Sequence, residues 1–149
     1  MRVLIQRVAS ANVVVGEKIT GAIEHGLLLL VGITHADSEA IEDRMAEKIV
    51  KLRIFGDEQG LMNKSVLDVG GRLLAVSQFT LYADAQNGNR PSYTDAARPE
   101  QASPAFDRFV AKLSARIGKP VLTGVFGANM KVSLVNDGPV TIWLDSETL

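Results

Sequence analysis

Two short polar islands interrupt stretches that otherwise read as buried strands. The first is Ser77-Gln78-Phe79-Thr80, directly after Leu73-Leu74-Ala75-Val76. A hydroxyl and an amide at a strand end, beside free backbone N–H groups, can converge on one small ligand. Such a group suits an oxyanion or an ester. On a strand Gln78 and Thr80 would face one way and Ser77 and Phe79 the other. The plainer reading is that Thr80 is a good strand residue and Gln78 is solvated. The second island is Asn136-Asp137-Gly138-Pro139-Val140-Thr141. Gly138 frees the backbone and Pro139 donates no ladder hydrogen bond, so a turn between two strands is the plain reading. A cis Gly–Pro bond that fixes backbone acceptors is the sharper one.

Other chemistries fall away quickly. No G-x-S-x-G elbow, phosphate-binding G-x-x-x-x-G-K-[ST] loop or G-x-G-x-x-G fingerprint occurs. The absence of cysteine removes disulfides, zinc–thiolate sites, iron–sulfur clusters and thiol nucleophiles. The two histidines, His25 and His35, flank one apolar run. A strand between them would hold them about 33 Å apart, too far to share a metal or a substrate. His35 is expected at the surface, and no metal or cofactor is expected. Sixteen Lys+Arg against seventeen Asp+Glu leave a net charge of −1. Any contact with a polynucleotide must therefore come from local patches or from shape.

The elements that must position these islands are legible in outline. In 149 residues a single domain over 1–149 is expected. Val3 to Val8, Asn12 to Val15 and Ile19 to Ile23 read as short strands, and Leu27 to Ile33 as a strand buried on both faces. Ile41, Met45, Ile49 and Leu52 mark a helix with Asp37 as its cap. Arg72 to Tyr82 returns to strand character. A second helix carries Phe106, Phe109, Val110, Leu113 and Ile117 on one face. Ser103 is expected at its N-cap and Pro104 at its first position, with Gly118 stopping it. Val121 to Phe126, Met130 to Val135 and Val140 to Leu144 read as strands. The alternation implies an α/β domain, a mixed β-sheet with two helices packed on one side. The segment from Asp84 to Ala102, with Arg90 and Arg98, is too long for a plain connection and reads as a lid, a binding loop or a solvated surface loop. No apolar stretch approaches membrane-spanning length, and the alternating N-terminus lacks a secretory h-region. A cytoplasmic location with no membrane partner is the expectation.

Taken together, the two islands resemble the signatures of the D-aminoacyl-tRNA deacylases of the D-tyrosyl-tRNA deacylase type. These are a Ser-Gln-x-Thr stretch and an Asn-x-Gly-Pro-x-Thr stretch, and both occur here in order. Met1 to Val8 and Gly88-Asn89-Arg90-Pro91-Ser92 also look familial. The resemblance implies a homodimer that hydrolyses the ester joining a D-amino acid, or glycine, to the 3′ end of tRNA. It implies catalytic roles for Ser77, Gln78 and Thr80 and substrate contacts from Phe79, Asn136, Gly138 and Pro139. It further implies that a cis Gly138–Pro139 bond of one subunit reaches the partner's pocket. Phe126 and Met130, beside Gly127 and Asn129, read as pocket-lining residues, with core packing as the alternative. Arg90, Arg98, Lys48, Lys51 and Arg53 are candidates for the acceptor stem or simply a solvated face. A threonine nucleophile needs an adjacent base, and none stands beside Thr80 in the sequence. The resemblance implies an alternative, assistance from the terminal ribose 2′-OH with backbone groups stabilising the oxyanion, and that is the expected mechanism. The competing readings are a non-catalytic RNA- or nucleotide-binding domain and a general small-ester hydrolase.

Overall fold

A computed structural model describes all 149 residues. The chain runs β1 (Arg2–Val15), β2 (Lys18–Ile23), β3 (Gly26–Gly32), α1 (Glu39–Lys51), β4 (Phe55–Gly56), β5 (Met62–Lys64), β6 (Arg72–Ser77), a 3-10 turn (Phe79–Tyr82), α2 (Pro99–Ile117), β7 (Leu122–Thr123) and β8 (Lys131–Asp145). The main sheet is ordered β2-β1-β3-β6-β7, with β8 on the other edge of β1. β3 and β6 pair in parallel, as do β6 and β7, whereas every pairing of β1 is antiparallel. The sheet is therefore mixed, as the alternation of strands and helices implies.

Both helices cover one face. Val3 and Ile5 of β1, with Leu27, Leu29 and Val31 of β3, pack against Met45 and Ile49 of α1 and Phe106, Phe109 and Leu113 of α2. Leu28, Leu74 and Val76 point the other way, into a smaller core with Val8, Ala11, Val13 and Ile23. That explains why the run from Leu27 onward is apolar without alternation. β1 serves both cores because its register against β8 shifts between Val8 and Ser10. Odd-numbered residues face the helices before that shift and the smaller core after it.

Several boundaries differ from the sequence expectation. The two runs read as separate strands at the start of the chain form one strand, since the β8 edge supports it along its length. Ser38, not Asp37, caps α1: its side chain accepts from the Ile41 N–H. Asp37 instead accepts from the Thr34 N–H at 2.9 Å and from the Met1 amino group at 2.6 Å. α2 starts at Pro99, with Arg98 at the N-cap, so Pro104 lies inside the helix rather than at its start. Pro99 is equally suited to the first position. Burial of Ala102 draws the extra turn into the core. β6 stops at Ser77, short of Tyr82, and β7 is only two residues long.

A charged seam joins the helices. Glu42 of α1 is fully buried; its carboxylate accepts from Arg108 at 2.8 and 3.3 Å and lies 3.2 Å from Lys112 Nζ. The hydrogen bonds that Arg108 donates to Glu42 hold its guanidinium above its usual range. Burial works against the Lys112 ammonium, yet Glu42 and Asp43 outweigh it and raise that group too. Removing the carboxylate leaves these cations to compete for water at a buried seam. Glu42→Ala is therefore expected to lower unfolding free energy by about 1–3 kcal/mol, and Glu42→Gln by less. Urea unfolding measures both, and an alanine variant as stable as the parent would contradict this role.

Candidate active site

β3 and β6 end side by side at Val31 and Ser77. A cavity of about 760 Å³ opens at these carboxyl ends, where ligands of parallel sheets commonly bind. Ser77, Gln78 and Phe79 form one wall of it, and Phe126, Asn129 and Met130 another. The segment after Asp84 contributes Tyr93, Thr94, Ala96, Ala97 and Arg98, so it walls the cavity rather than lying free in solvent. The lining is largely apolar, a setting in which a few aimed polar groups decide orientation.

The first island is a strand end followed by a tight turn. The Gln78 N–H donates to the Val31 carbonyl at 2.7 Å, the last tie to β3, and the chain then turns through Phe79 to Tyr82. Gln78 and Thr80 therefore do not share a strand face, as a continuous strand would require. The first N–H groups of a 3-10 turn have no acceptor within it, and no side chain caps this one. Those groups begin at Phe79, on the cavity wall. Thr80 is exposed and lies just outside the lining, where its hydroxyl accepts from the Gln78 amide nitrogen. Gly32 lets the turn sit close: a Cβ there would come within 3.1 Å of Leu81 Cβ and 3.2 Å of the Gln78 carbonyl oxygen.

Arg2 holds this turn from below. Its Nη1 donates to the Leu81 carbonyl at 2.9 Å, its Nε lies 3.1 Å from Asp145, and its guanidinium stacks 4.4 Å from the Tyr82 ring centre. Burial, with Asp37 and Asp145 beside it, pushes the Tyr82 hydroxyl well above the ordinary phenol range, so the ring stays neutral under that cation.

The second island lies within β8 and protrudes from it. Asn136 pairs with Val8 and Thr141 with Gln6, so residues 137–140 bulge out opposite Arg7 alone. This is a bulge in one strand rather than a turn between two, because β1 is paired on both sides of it. Asn136 closes its base: Oδ1 accepts from the Val140 N–H at 3.0 Å and Nδ2 donates to the Val140 carbonyl at 3.2 Å. Arg7 supports its crest, with Nε donating to the Asp137 carbonyl at 3.0 Å and Nη1 to the Ile54 carbonyl at 2.7 Å. Gly138 has φ +133°, a conformation that favours glycine. Any Cβ there would lie 2.9 Å from Val140 and 3.0 Å from Arg7 Nη2. The Gly138–Pro139 bond is cis, and both residues are exposed.

The expected site residues thus fall into two groups. Ser77, Gln78, Phe79, Phe126 and Met130 meet at the cavity, with Thr80 at its edge. Asn136, Gly138 and Pro139 are not among the residues lining it. Arg98 lines the cavity, whereas Arg90, Lys48, Lys51 and Arg53 do not. His35, expected only at the surface, is exposed but also lines the cavity, with Nε2 2.8 Å from the Thr94 carbonyl. A carbonyl only accepts, so that nitrogen donates. His25 packs edge-on against Phe55 at the opposite end of β3. Arg2, Arg7, Gly32 and Tyr93 went unnoticed in the sequence. For Arg7 the available signal was a cation in an otherwise strand-like apolar stretch.

The family model described as D-Tyr-tRNA(Tyr) deacylase matches residues 4–145. The D-aminoacyl-tRNA deacylase of Dechloromonas aromatica is 60% identical over 99% of this chain and 98% of its own length. That of Chromobacterium violaceum is 61% identical over 98% of this chain and 97% of its own. The solved structure of a c-Myc DNA unwinding element binding protein matches at TM-score 0.91 and 40% identity, covering 97% of this chain and 98% of that one. A probable eukaryotic D-amino acid tRNA deacylase matches at TM-score 0.81 and 17% identity, over 96% and 97% of the two chains. At that identity the match speaks for the fold alone.

The side-chain clamp on the bulge has a direct readout. Asn136→Ala removes the acceptor of the Val140 N–H, and native-state hydrogen exchange at Val140 is expected to rise about 5–10-fold, the worth of one hydrogen bond. Unchanged protection at Val140 would mean that the strand ladder alone holds the bulge.

Proposed function

The chain belongs to the D-Tyr-tRNA(Tyr) deacylase family, and we propose that it hydrolyses the ester of D-aminoacyl-tRNA, releasing free D-amino acid and tRNA. The observation that carries this reading is the cavity at the ends of β3 and β6 with Ser77, Gln78 and Phe79 in its wall. It lies in a chain 60% identical to a protein named D-aminoacyl-tRNA deacylase. The full reading is chiral proofreading in the cytoplasm, with glycyl-tRNA as a second substrate and no cofactor.

Discrimination between enantiomers requires an unyielding wall, because the two share every functional group. The bulge at Gly138–Pro139 suits that task, since its crest is backbone rather than a movable side chain, and the side chains of Arg7 and Asn136 brace that backbone through hydrogen bonds. Rejection of the L form would be a clash, not a weaker attraction. The bulge is exposed and separate from the cavity of its own chain, which supports a homodimer in which each bulge reaches the partner's site. The exposed apolar side chains of Val135 and Trp143 on β8 are consistent with a covering partner.

The chemistry follows from the groups at hand. No carboxylate or lysine lines the cavity, and His35 Nε2 is committed to the Thr94 carbonyl. The Thr80 hydroxyl receives a hydrogen bond from an amide, which removes no proton. We assign Thr80 to positioning. Water attacks the ester carbonyl with help from the substrate's ribose 2′-OH, and backbone N–H groups at the Phe79 turn stabilise the oxyanion. The ribose 3′ oxygen leaves and takes up a proton. Aminoacyl esters are labile already, so positioning and one or two oxyanion donors, each worth about 10²–10³ in rate, suffice.

A second reading, a nucleic-acid-binding domain without hydrolysis, draws on the name of the c-Myc DNA unwinding element binding protein at 40% identity. One assay separates the two. Matched D- and L-aminoacyl-tRNA carrying the same side chain are expected to differ about 10²-fold or more in release of amino acid, with the D ester lost first. Hydrolysis of neither ester would leave the binding reading, and equal hydrolysis of both a general esterase. A glycyl ester offers nothing for the wall to strike and is expected to be cleaved. Its complete resistance at high enzyme concentration would sink the wall.

Thr80 is tested separately. Thr80→Ser should retain most activity, and Thr80→Ala should lose about 10-fold or less. A folded, substrate-binding Thr80→Ala protein that had lost on the order of 10⁶ in kcat, as serine hydrolases do without their nucleophile, would restore Thr80 as the attacking group.

A further inference from the structure

Phe79 and Tyr93 are 55% and 42% exposed, yet their rings meet edge to face, with centres 5.0 Å apart and planes inclined at 70°. Both stand on the cavity wall. They come from segments that are anchored independently. Phe79 opens the 3-10 turn held by Val31 and Arg2. Tyr93 follows Ser92, whose N–H and carbonyl each pair with Asp84 at 2.8 Å, and its own carbonyl accepts from the Ala96 N–H at 3.1 Å. The next residues are pinned too: Thr34 Oγ1 donates to the Asp95 carbonyl at 2.6 Å.

Two aromatic rings held in contact by fixed backbones, with large parts of both facing water, are poor core packing. They make a good stacking surface, since an edge-to-face pair leaves ring faces open. Arg98 lines the same cavity with its guanidinium mostly in solvent, its nearest carboxylate, that of Glu100, being 3.8 Å away. Aromatic faces beside a solvent-exposed guanidinium suit a single-stranded nucleic acid, whose bases stack and whose phosphates are anionic.

On the deacylase reading above, the terminal nucleoside and its amino acid occupy the cavity, and the RNA must leave through the mouth. We propose that Phe79 and Tyr93 form a stacking platform for the nucleobase immediately 5′ of the aminoacylated nucleoside. The platform orients the unpaired 3′ end and so sets the angle at which the ester enters. It reads no sequence, because every base has a π-face.

Tyr93 is the residue to change. The probe is a short RNA ending in CCA with 2-aminopurine at the penultimate position, whose fluorescence falls on stacking. Wild-type protein should quench it. Tyr93→Phe should keep the quench, whereas Tyr93→Ala should abolish it and weaken binding about 5–100-fold, the range of one base–aromatic stack. Two D esters then locate the effect. With Tyr93→Ala, kcat/KM for D-tyrosyl-tRNA should fall at least about tenfold further than kcat/KM for D-tyrosyl-adenosine, which lacks the preceding base. Equal losses on the two esters, or a quench that survives in Tyr93→Ala, would overturn the platform. If the wild-type protein cleaved neither ester, the deacylase reading would fail, and the quench would still judge the platform by itself.

Discussion

Everything in this molecule is arranged around one strand that must pair on both edges. β1 gives its N-terminal half to β3, its C-terminal half to β2 and its whole other edge to β8. A slip of one residue would turn Val3 and Ile5 out of the helix-facing core, so the register is set by burial. Against β8, irregularity is confined to Gln6 through Ser10, where the strand changes the core it serves, and there, opposite Arg7, β8 opens its bulge. The protruding Gly138–Pro139 segment is thus a consequence of how the two longest strands reconcile their registers.

Apart from Arg98, which lines the cavity, the charged side chains around these parts brace their backbone. Arg2 grips the turn that carries Phe79 and Thr80, Arg7 joins the bulge to the segment at Ile54, and Asp37 ties Thr34 to the start of the chain. Arginine suits such work because its fork of donors can meet two carbonyls at once without becoming neutral. The cavity itself is left largely apolar, which strengthens whatever backbone dipoles face it. An enzyme of this design depends on fixed geometry more than on a titrating side chain. The near-zero net charge is compatible with a grip confined to the end of an RNA.

Much of this was legible beforehand. The apolar run from Leu27, the helical stripe at Met45 and Ile49 and the stop at Gly118 follow from side-chain periodicity and glycine conformation, which are local properties. The two islands announced themselves as polar residues where burial was due, and their paired signatures suffice to name the family. Misplaced boundaries had tertiary causes. Asp37 was drawn away from its helix by Thr34 and Met1, and α2 gained a turn because Ala102 had a core to enter.

The composition and order of the residues therefore determined the main strands and both helices in outline, the family and the two groups of candidate residues. Only the tertiary structure decided that Ser77, Gln78, Phe79, Phe126 and Met130 share one cavity while Gly138 and Pro139 stand apart from it. Only it assigned Arg7 and Arg2 to their carbonyls and brought Tyr93 against Phe79. The reason is that periodicity reports which face of an element is buried, whereas contacts between segments depend on strand register and the path of loops. Those are settled by the packing of the whole chain.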